Sequence, residues 1–231
     1  MPSGNLTVIG TSHIAKASID AVSGLIEKER PDIVAVELDA GRAQALMSNR
    51  QSKLKFSMIR RVGLKGFMFL AFAGFLQKRL GKIVGIQPGS DMKAAMVAAQ
   101  SSNSKIALID RPLEVTLRRL SSSITARERF RFFFDIIAGP FSREVRDIGK
   151  IDLRSVPDSQ IVVKLISLLK YRYPGTYRVL VEERNVHMAK ALAHIIHHNP
   201  DARILAVVGA GHEADLASLV SKYVENPVKS S

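Results

Sequence analysis

The chain has no cysteine among its 231 residues. That excludes a disulfide framework, a thiolate nucleophile and any cysteine-ligated zinc site. A metal, if there is one, must be held by imidazoles and carboxylates. The opening MPSGNLTVIG has neither the basic start nor the apolar run of a secretory signal, so the expected compartment is the cytoplasm. No internal repeat, low-complexity tract or Pro/Gly/Ser-rich linker divides the chain, and residues 1–231 read as one domain. A full bilayer-spanning run is also missing. Phe67–Leu76 (FMFLAFAGFL) together with Val62–Gly66 falls about one turn short of the ~20 residues a span needs, and Lys65 interrupts it. Finally, from Ala40 to Ser90 there is no Asp or Glu at all.

That last absence makes the charge lopsided. The acid-free stretch holds ten basic residues, from Arg42 to Lys82, and so supplies ten of the thirteen net positive charges. A block of one sign suggests an acidic partner: anionic lipid head groups, nucleic acid or an acidic protein surface. Nucleic acid fits least, because the block lacks an RNP-type motif, a Cys/His finger or aromatics interleaved for base stacking. Residues 41–82 are therefore read as a basic, apolar helical insertion. It would act as a lid or docking surface, against an anionic membrane or a partner subunit, which leaves membrane association and a homo-oligomer open.

The 46% apolar content supplies an ordinary globular core. Leu6–Ile9 is a short apolar run ended by Gly10, which reads as a strand. Ile14–Glu29 carries Ile19, Val22 and Ile26 on one helical face and is closed by Pro31. Asp32–Leu38 (DIVAVEL) is a second buried strand. Gly41–Lys82 reads as helix or helical hairpin, Lys82–Gln87 as a short strand and Asp91–Gln100 as a helix. Lys105–Ile109 (KIALI) is a strand. A mostly helical region extends from Pro112 to Leu169, with breaks at Gly139-Pro140 and Val156-Pro157, and Thr176–His198 reads as one helix. Arg203–Val208 (RILAVV) is the last strand, succeeded by a helix to Tyr223. Uniformly apolar strands alternating with helices predict an α/β fold. Its largely parallel central sheet has helices on both faces, with helical insertions after the second strand and after Lys105–Ile109.

The residues just past each strand carry the functional information. The first strand runs into Gly10-Thr11-Ser12-His13, the second carries Glu37 at its end and then Asp39, the third runs into Asp110-Arg111, and the last into Gly209-Ala210-Gly211-His212. In a parallel sheet the carboxyl ends of the strands gather at one edge, where ligands bind. The two histidines share a form, Gly-x-x-His directly after an apolar strand. A glycine turn at a helix N-terminus favours anions or developing negative charge, and a neutral histidine there suits metal ligation or proton shuttling. Glu37 ends an apolar strand, where an unpaired carboxylate would be costly. Glu183, His187 and Lys190 share a helical stripe, which alone is weak evidence. His194, His197 and His198 crowd a helix end and read as exposed residues favoured by the dipole there. Gly209–Ala214 fits a loose Gly-x-Gly-x-x-Ala, but only 17 residues come after it, with no strand to carry the acidic residue a dinucleotide site needs.

Six segments in order resemble the TraB/PrgY pheromone-shutdown family: GTSH, VELD, the PGSDM-led helix, LIDR with TLRRL behind it, EERNVHMAKAL and VVGAGH. The resemblance runs from about Leu6 to Leu219. The wider group is similar to the Tiki metalloproteases and the GumN proteins, which carry two Gly-x-x-His motifs and a glutamate. Metal-dependent peptide-bond hydrolysis has been proposed for that group. The resemblance implies one divalent ion (Zn, Mn or Co) on His13, His212 and Glu37, with Arg184 and Asn185 as active-site polar groups. Three protein ligands leave a coordination position open, as in hydrolytic sites. Asp110 or Glu183 would then orient water as general base, and Arg184 or Arg111 would stabilise an oxyanion. The implied function is a peptidase that degrades or inactivates a peptide signal. The competing expectation is a binder of the same fold that sequesters a peptide or pairs with a membrane protein without turnover. Many prokaryotic members continue into membrane-spanning helices, whereas 19 residues come after His212 here. That suggests either a soluble-domain form or a membrane segment lying outside this chain.

Overall fold

A computed structural model of the chain describes residues 5–11, 16–48, 89–138 and 158–226. Most of the basic insertion, the Phe67–Leu76 run, the expected strand Lys82–Gln87, both Gly-Pro and Val-Pro breaks and His13 lie outside the described residues.

Four strands form one all-parallel sheet: β1 (Leu6–Thr11), β2 (Ile33–Val36), β3 (Lys105–Leu108) and β4 (Ile204–Gly209), in the spatial order β1-β4-β2-β3. β2 and β4 are central and buried along their whole length, which is why both read as unbroken apolar runs. Their side chains alternate between the two faces. Ile33, Ala35, Ile204, Ala206 and Val208 pack on one face, beneath α8 (Glu183–His198) and α9 (Glu213–Glu225). Val34, Val36, Leu205 and Val207 pack on the other, against α1 (Lys16–Glu29), α2 (Ala40–Met47) and α3 (Ser90–Ser101). Helices on both faces of a parallel sheet are the expected architecture.

Each element has a local cause. α1 buries Val22 and Ile26, one turn apart, and stops before Pro31. Asp39 caps α2 by accepting from the Arg42 backbone N–H at 3.0 Å. Gly89 enters α3 at φ +84°, with Leu46 packed against the position a side chain would take. After β3 come α4 (Leu113–Ser123), α5 (Ala126–Ala138), α6 (Asp158–Arg172) and the single turn α7 (Pro174–Tyr177).

The structure corrects the sequence reading at three points. β2 ends at Val36, so Glu37 and Leu38 lie past the strand; the Leu38 N–H turns back to the Val36 carbonyl at 2.7 Å. The helical region after Pro112 has a further break at Ile124-Thr125. There Thr125 and Glu128 cap α5 reciprocally, the Glu128 carboxylate accepting from the Thr125 N–H and the Thr125 hydroxyl meeting the Glu128 N–H. The expected single helix from Thr176 contains a π-helical segment, Arg178–Glu182, marked by the Glu183 N–H reaching the Arg178 carbonyl. Among the described residues, no helix is long and apolar enough to cross a membrane.

Candidate functional site at the carboxyl edge of the sheet

Adjacent strands β2 and β4 send the chain to opposite faces, β2 into α2 and β4 into α9. In an open parallel sheet such a reversal leaves a crevice beyond the strand ends. Glu37 and His212 arrive there from the two strands. The Gly209 N–H donates to Glu37 Oε2 at 2.7 Å, which ties the β2 carboxylate to the β4 turn. His212 occupies the N-cap position of α9, held by its N–H on the Gly209 carbonyl at 2.8 Å. Glu37 Oε1 lies 3.5 Å from His212 Nε2, and both residues are buried.

The first turn of α8 supplies the other half. Asn185, 1% exposed, accepts from His212 Nδ1–H at 2.5 Å. Arg184 Nη1 stands 3.2 Å from His212 Nε2. A guanidinium can only donate, so Nε2 must accept, Nδ1 must carry the proton and the imidazole is neutral. Arg184 Nη2 also binds Glu37 Oε1. Its Nε and Nη2 form a fork on Asp110, at 3.1 Å to Oδ1 and 2.7 Å to Oδ2. Burial works against the charge on Arg184. The adjacent Glu37 and Asp110 carboxylates more than offset it and hold the guanidinium pKa above its ordinary value.

Asp110, carried at the end of β3, is further fixed by the Arg111 N–H at 2.8 Å and by Arg42 Nη1 at 3.0 Å. Arg42 is the member that the sequence reading places elsewhere. It belongs to the acid-free block, and the structure brings it to the site. A cue was available: Arg42 stands three residues after the helix-capping Asp39, in the first turn leading away from Glu37.

Arg111 and Glu183 form a neighbouring pair. Arg111 donates from Nε to Thr116 Oγ1 at 2.9 Å, from Nη1 to Glu183 Oε2 at 3.1 Å and from Nη2 to the Val179 carbonyl of the π segment at 2.7 Å. Arg119 also holds Glu183, at 2.7 Å and 3.1 Å. The Arg119 hydrogen bond leads in lowering the Glu183 pKa, Arg111 adds to it and burial opposes it. One turn along α8, partial burial lowers the His187 pKa, with Asp110 acting in the opposite direction.

So Glu37, Asp110, Arg184, Asn185 and His212 meet in one cluster, while Arg111 and Glu183 brace its flank. Thr11, at the end of β1, is also buried at this edge, where its hydroxyl meets Asp91 in the first turn of α3. Sequence reading did not single out that pair. Among the described residues, no group of three or more histidine, aspartate or glutamate side chains is arranged to hold a metal ion. His194, His197 and His198 are exposed at the end of α8, where His198 Nδ1–H donates to the His194 carbonyl at 2.8 Å.

The sequence profile of the TraB/PrgY/gumN family matches residues 3–223. The chain belongs to the TraB/PrgY/gumN family. An uncharacterized protein of Methanocaldococcus jannaschii is 35% identical over 221 residues, covering 94% of this chain and 54% of that protein. TraB domain-containing proteins of Homo sapiens and Bos taurus are 22% and 21% identical over 198 residues, covering 80% of this chain and 51% of each. The chain thus spans about half the length of the curated relatives it matches. Its TraB-family match takes in all four strands and every residue of the cluster.

Proposed function

We propose that this TraB-family chain is a metal-dependent peptide hydrolase that inactivates a peptide signal. In this reading one divalent ion is held by Glu37, His212 and His13. The observation that supports it most is the state of His212. Asn185 holds its Nδ1–H, and its Nε2, which accepts from Arg184, stands 3.5 Å from Glu37 Oε1. Two donors each about 2.1 Å from one tetrahedral ion lie about 3.4 Å apart, so this spacing fits a shared cation. An imidazole whose other nitrogen is held by an outer hydrogen bond is the usual form of a histidine ligand. The donor set suits Zn, Mn or Co. When bound, such an ion supplies Lewis acidity and lowers the pKa of a water ligand. In this reading Asp110 orients water and Arg184, which contacts both Asp110 and His212, stabilises an oxyanion.

Elemental analysis of the purified chain, paired with cleavage of a peptide library, tests this reading. Wild type should carry about one divalent ion and cleave peptides. His13→Ala, His212→Ala and Glu37→Gln should each lose both, while Glu183→Gln keeps the ion. Full metal content and activity in the three ligand variants would overturn the assignment.

A second reading is a peptide-sequestering or membrane-partner binder without turnover. One observation favours it: Arg184 already engages Glu37, Asp110 and His212 together, so the cluster is internally satisfied. Peptide binding without cleavage, in a metal-free protein, would select it.

A further inference from the structure

Two of the donors that would hold an ion, Glu37 and His212, already meet a cation. Glu37 Oε1 accepts from Arg184 Nη2 and His212 Nε2 faces Nη1 at 3.2 Å, while Asp110 holds the same guanidinium from its other side. The guanidinium therefore sits between the Glu37 carboxylate and the His212 imidazole that the ion would need. Glu37 and Asp110 are both buried, and buried carboxylates without a compensating cation are strongly destabilising. Arg42 also reaches Asp110 Oδ2, but its side chain is 39% exposed against 15% for Arg184, so Arg184 is the more buried of the two cations. A divalent ion beside Arg184 would place like charges in contact in a water-poor space, where their repulsion is poorly screened.

We infer that Arg184 and a divalent ion compete for the same donors, so that Arg184 sets the ion affinity and neutralises the cluster when no ion is bound. The inference rests on the metal reading above and adds the residue that controls it. Arg184 thereby acts as a positioning and affinity-setting residue. Its side chain enters from the first turn of α8, directly after the π segment. A turn of that kind changes the direction in which the next side chains point.

The test is calorimetric titration of the whole chain with Mn2+, Co2+ and Zn2+, in wild type, Arg184→Ala and Arg184→Lys. Arg184→Ala should bind the ion about tenfold or more tightly than wild type, a coupling of ordinary size between two ligands of one site. Without ion its melting temperature should fall, and with ion it should rise steeply. Millimolar guanidinium should weaken ion binding to Arg184→Ala and leave wild type unaffected. Arg184→Lys keeps a charge but loses the planar fork, so its affinity should lie between the two. A folded Arg184→Ala with unchanged or weaker ion affinity, or with no response to guanidinium, would overturn the inference. Should the alanine variant fail to fold, Arg184→Lys decides, and an affinity no higher than wild type would be fatal. Ion binding that His212→Ala abolishes but Arg184 variants do not alter defeats this inference alone. No ion binding in any folded form defeats the metal reading as well.

Discussion

Glu183 and Arg184 are neighbours in the chain yet serve two clusters. Arg184 turns into the crevice, to Glu37, Asp110 and His212, while Glu183 turns to Arg111 and Arg119. The Glu183 carboxyl has a lowered pKa, chiefly through its Arg119 hydrogen bond. A carboxyl whose pKa is depressed on folding contributes stability above the ordinary carboxylate pKa, and that stability is lost as pH falls through the depressed value. Arg119 is half exposed, so solvent screening keeps the contribution small, about 1 kcal/mol. Glu183→Gln should therefore lower stability by about that amount at neutral pH, and the gap from wild type should close in acid. Urea denaturation of both proteins across a pH series measures this. A gap that persists unchanged below the carboxylate range would show that packing, not charge, is lost.

At the scale of elements, the helical region between β3 and β4 is held by a carboxylate that caps two helices at once. Glu128 Oε2 accepts from the Thr125 N–H at 2.9 Å, and Oε1 from the Gly175 N–H at 2.7 Å at the start of α7. A β-carbon on Gly175 would stand 2.6 Å from Glu128 Oε2 and 2.7 Å from the Ser123 carbonyl. Gly175→Ala should thus cost about 1–3 kcal/mol by overpacking and by displacing the cap. Gly24 is the control: it lies within α1 with nothing inside 4 Å of an added β-carbon, so Gly24→Ala should stabilise by about 0.5–1 kcal/mol. Thermal melts of the two variants should move in opposite directions. The capping pair could be found in the sequence, since Thr125 and Glu128 stand in the spacing of a capping box. The π segment could not, because its apolar pattern differs little from that of an unbroken helix.

For the whole molecule, the last strand in sequence is a central strand of the sheet. β4 lies between β1 and β2, and Leu6 pairs in register with Ile204. The sheet therefore has no continuous core until the C-terminal part of the chain is in place, a topology dominated by distant contacts. Leu205, 1% exposed, packs with Val34 and Val36 against the helices of one face. Leu205→Ala should cost about 2–5 kcal/mol. Val97→Ala, at an exposed position on α3, should stay within about 0.5 kcal/mol. Chemical denaturation resolves a difference of that size. Comparable losses at both positions would mean that β4 is not the keystone of the sheet.

The amino-acid pattern by itself determined the class of fold and the polar endings of its strands. Buried strands must be apolar throughout and helices must show a 3.6-residue stripe, and both are local requirements visible in β2, β4 and α1. It also singled out Glu37, Asp110 and His212, because polar groups that end apolar strands stand out against their neighbours, whereas only the resemblance of EERNVHMAKAL to the family marks Arg184 and Asn185. Which of them meet was decided only by the tertiary structure. Arg184 lies 74 residues from Asp110 and 147 from Glu37, and local periodicity carries nothing across such separations. The strand order β1-β4-β2-β3 places the β2 and β4 ends side by side, and the π turn precedes the first turn of α8, from which Arg184 and Asn185 enter the crevice. The same tertiary step drew Arg42 out of the basic block to Asp110, because buried carboxylates require cations and the fold brings this arginine within reach.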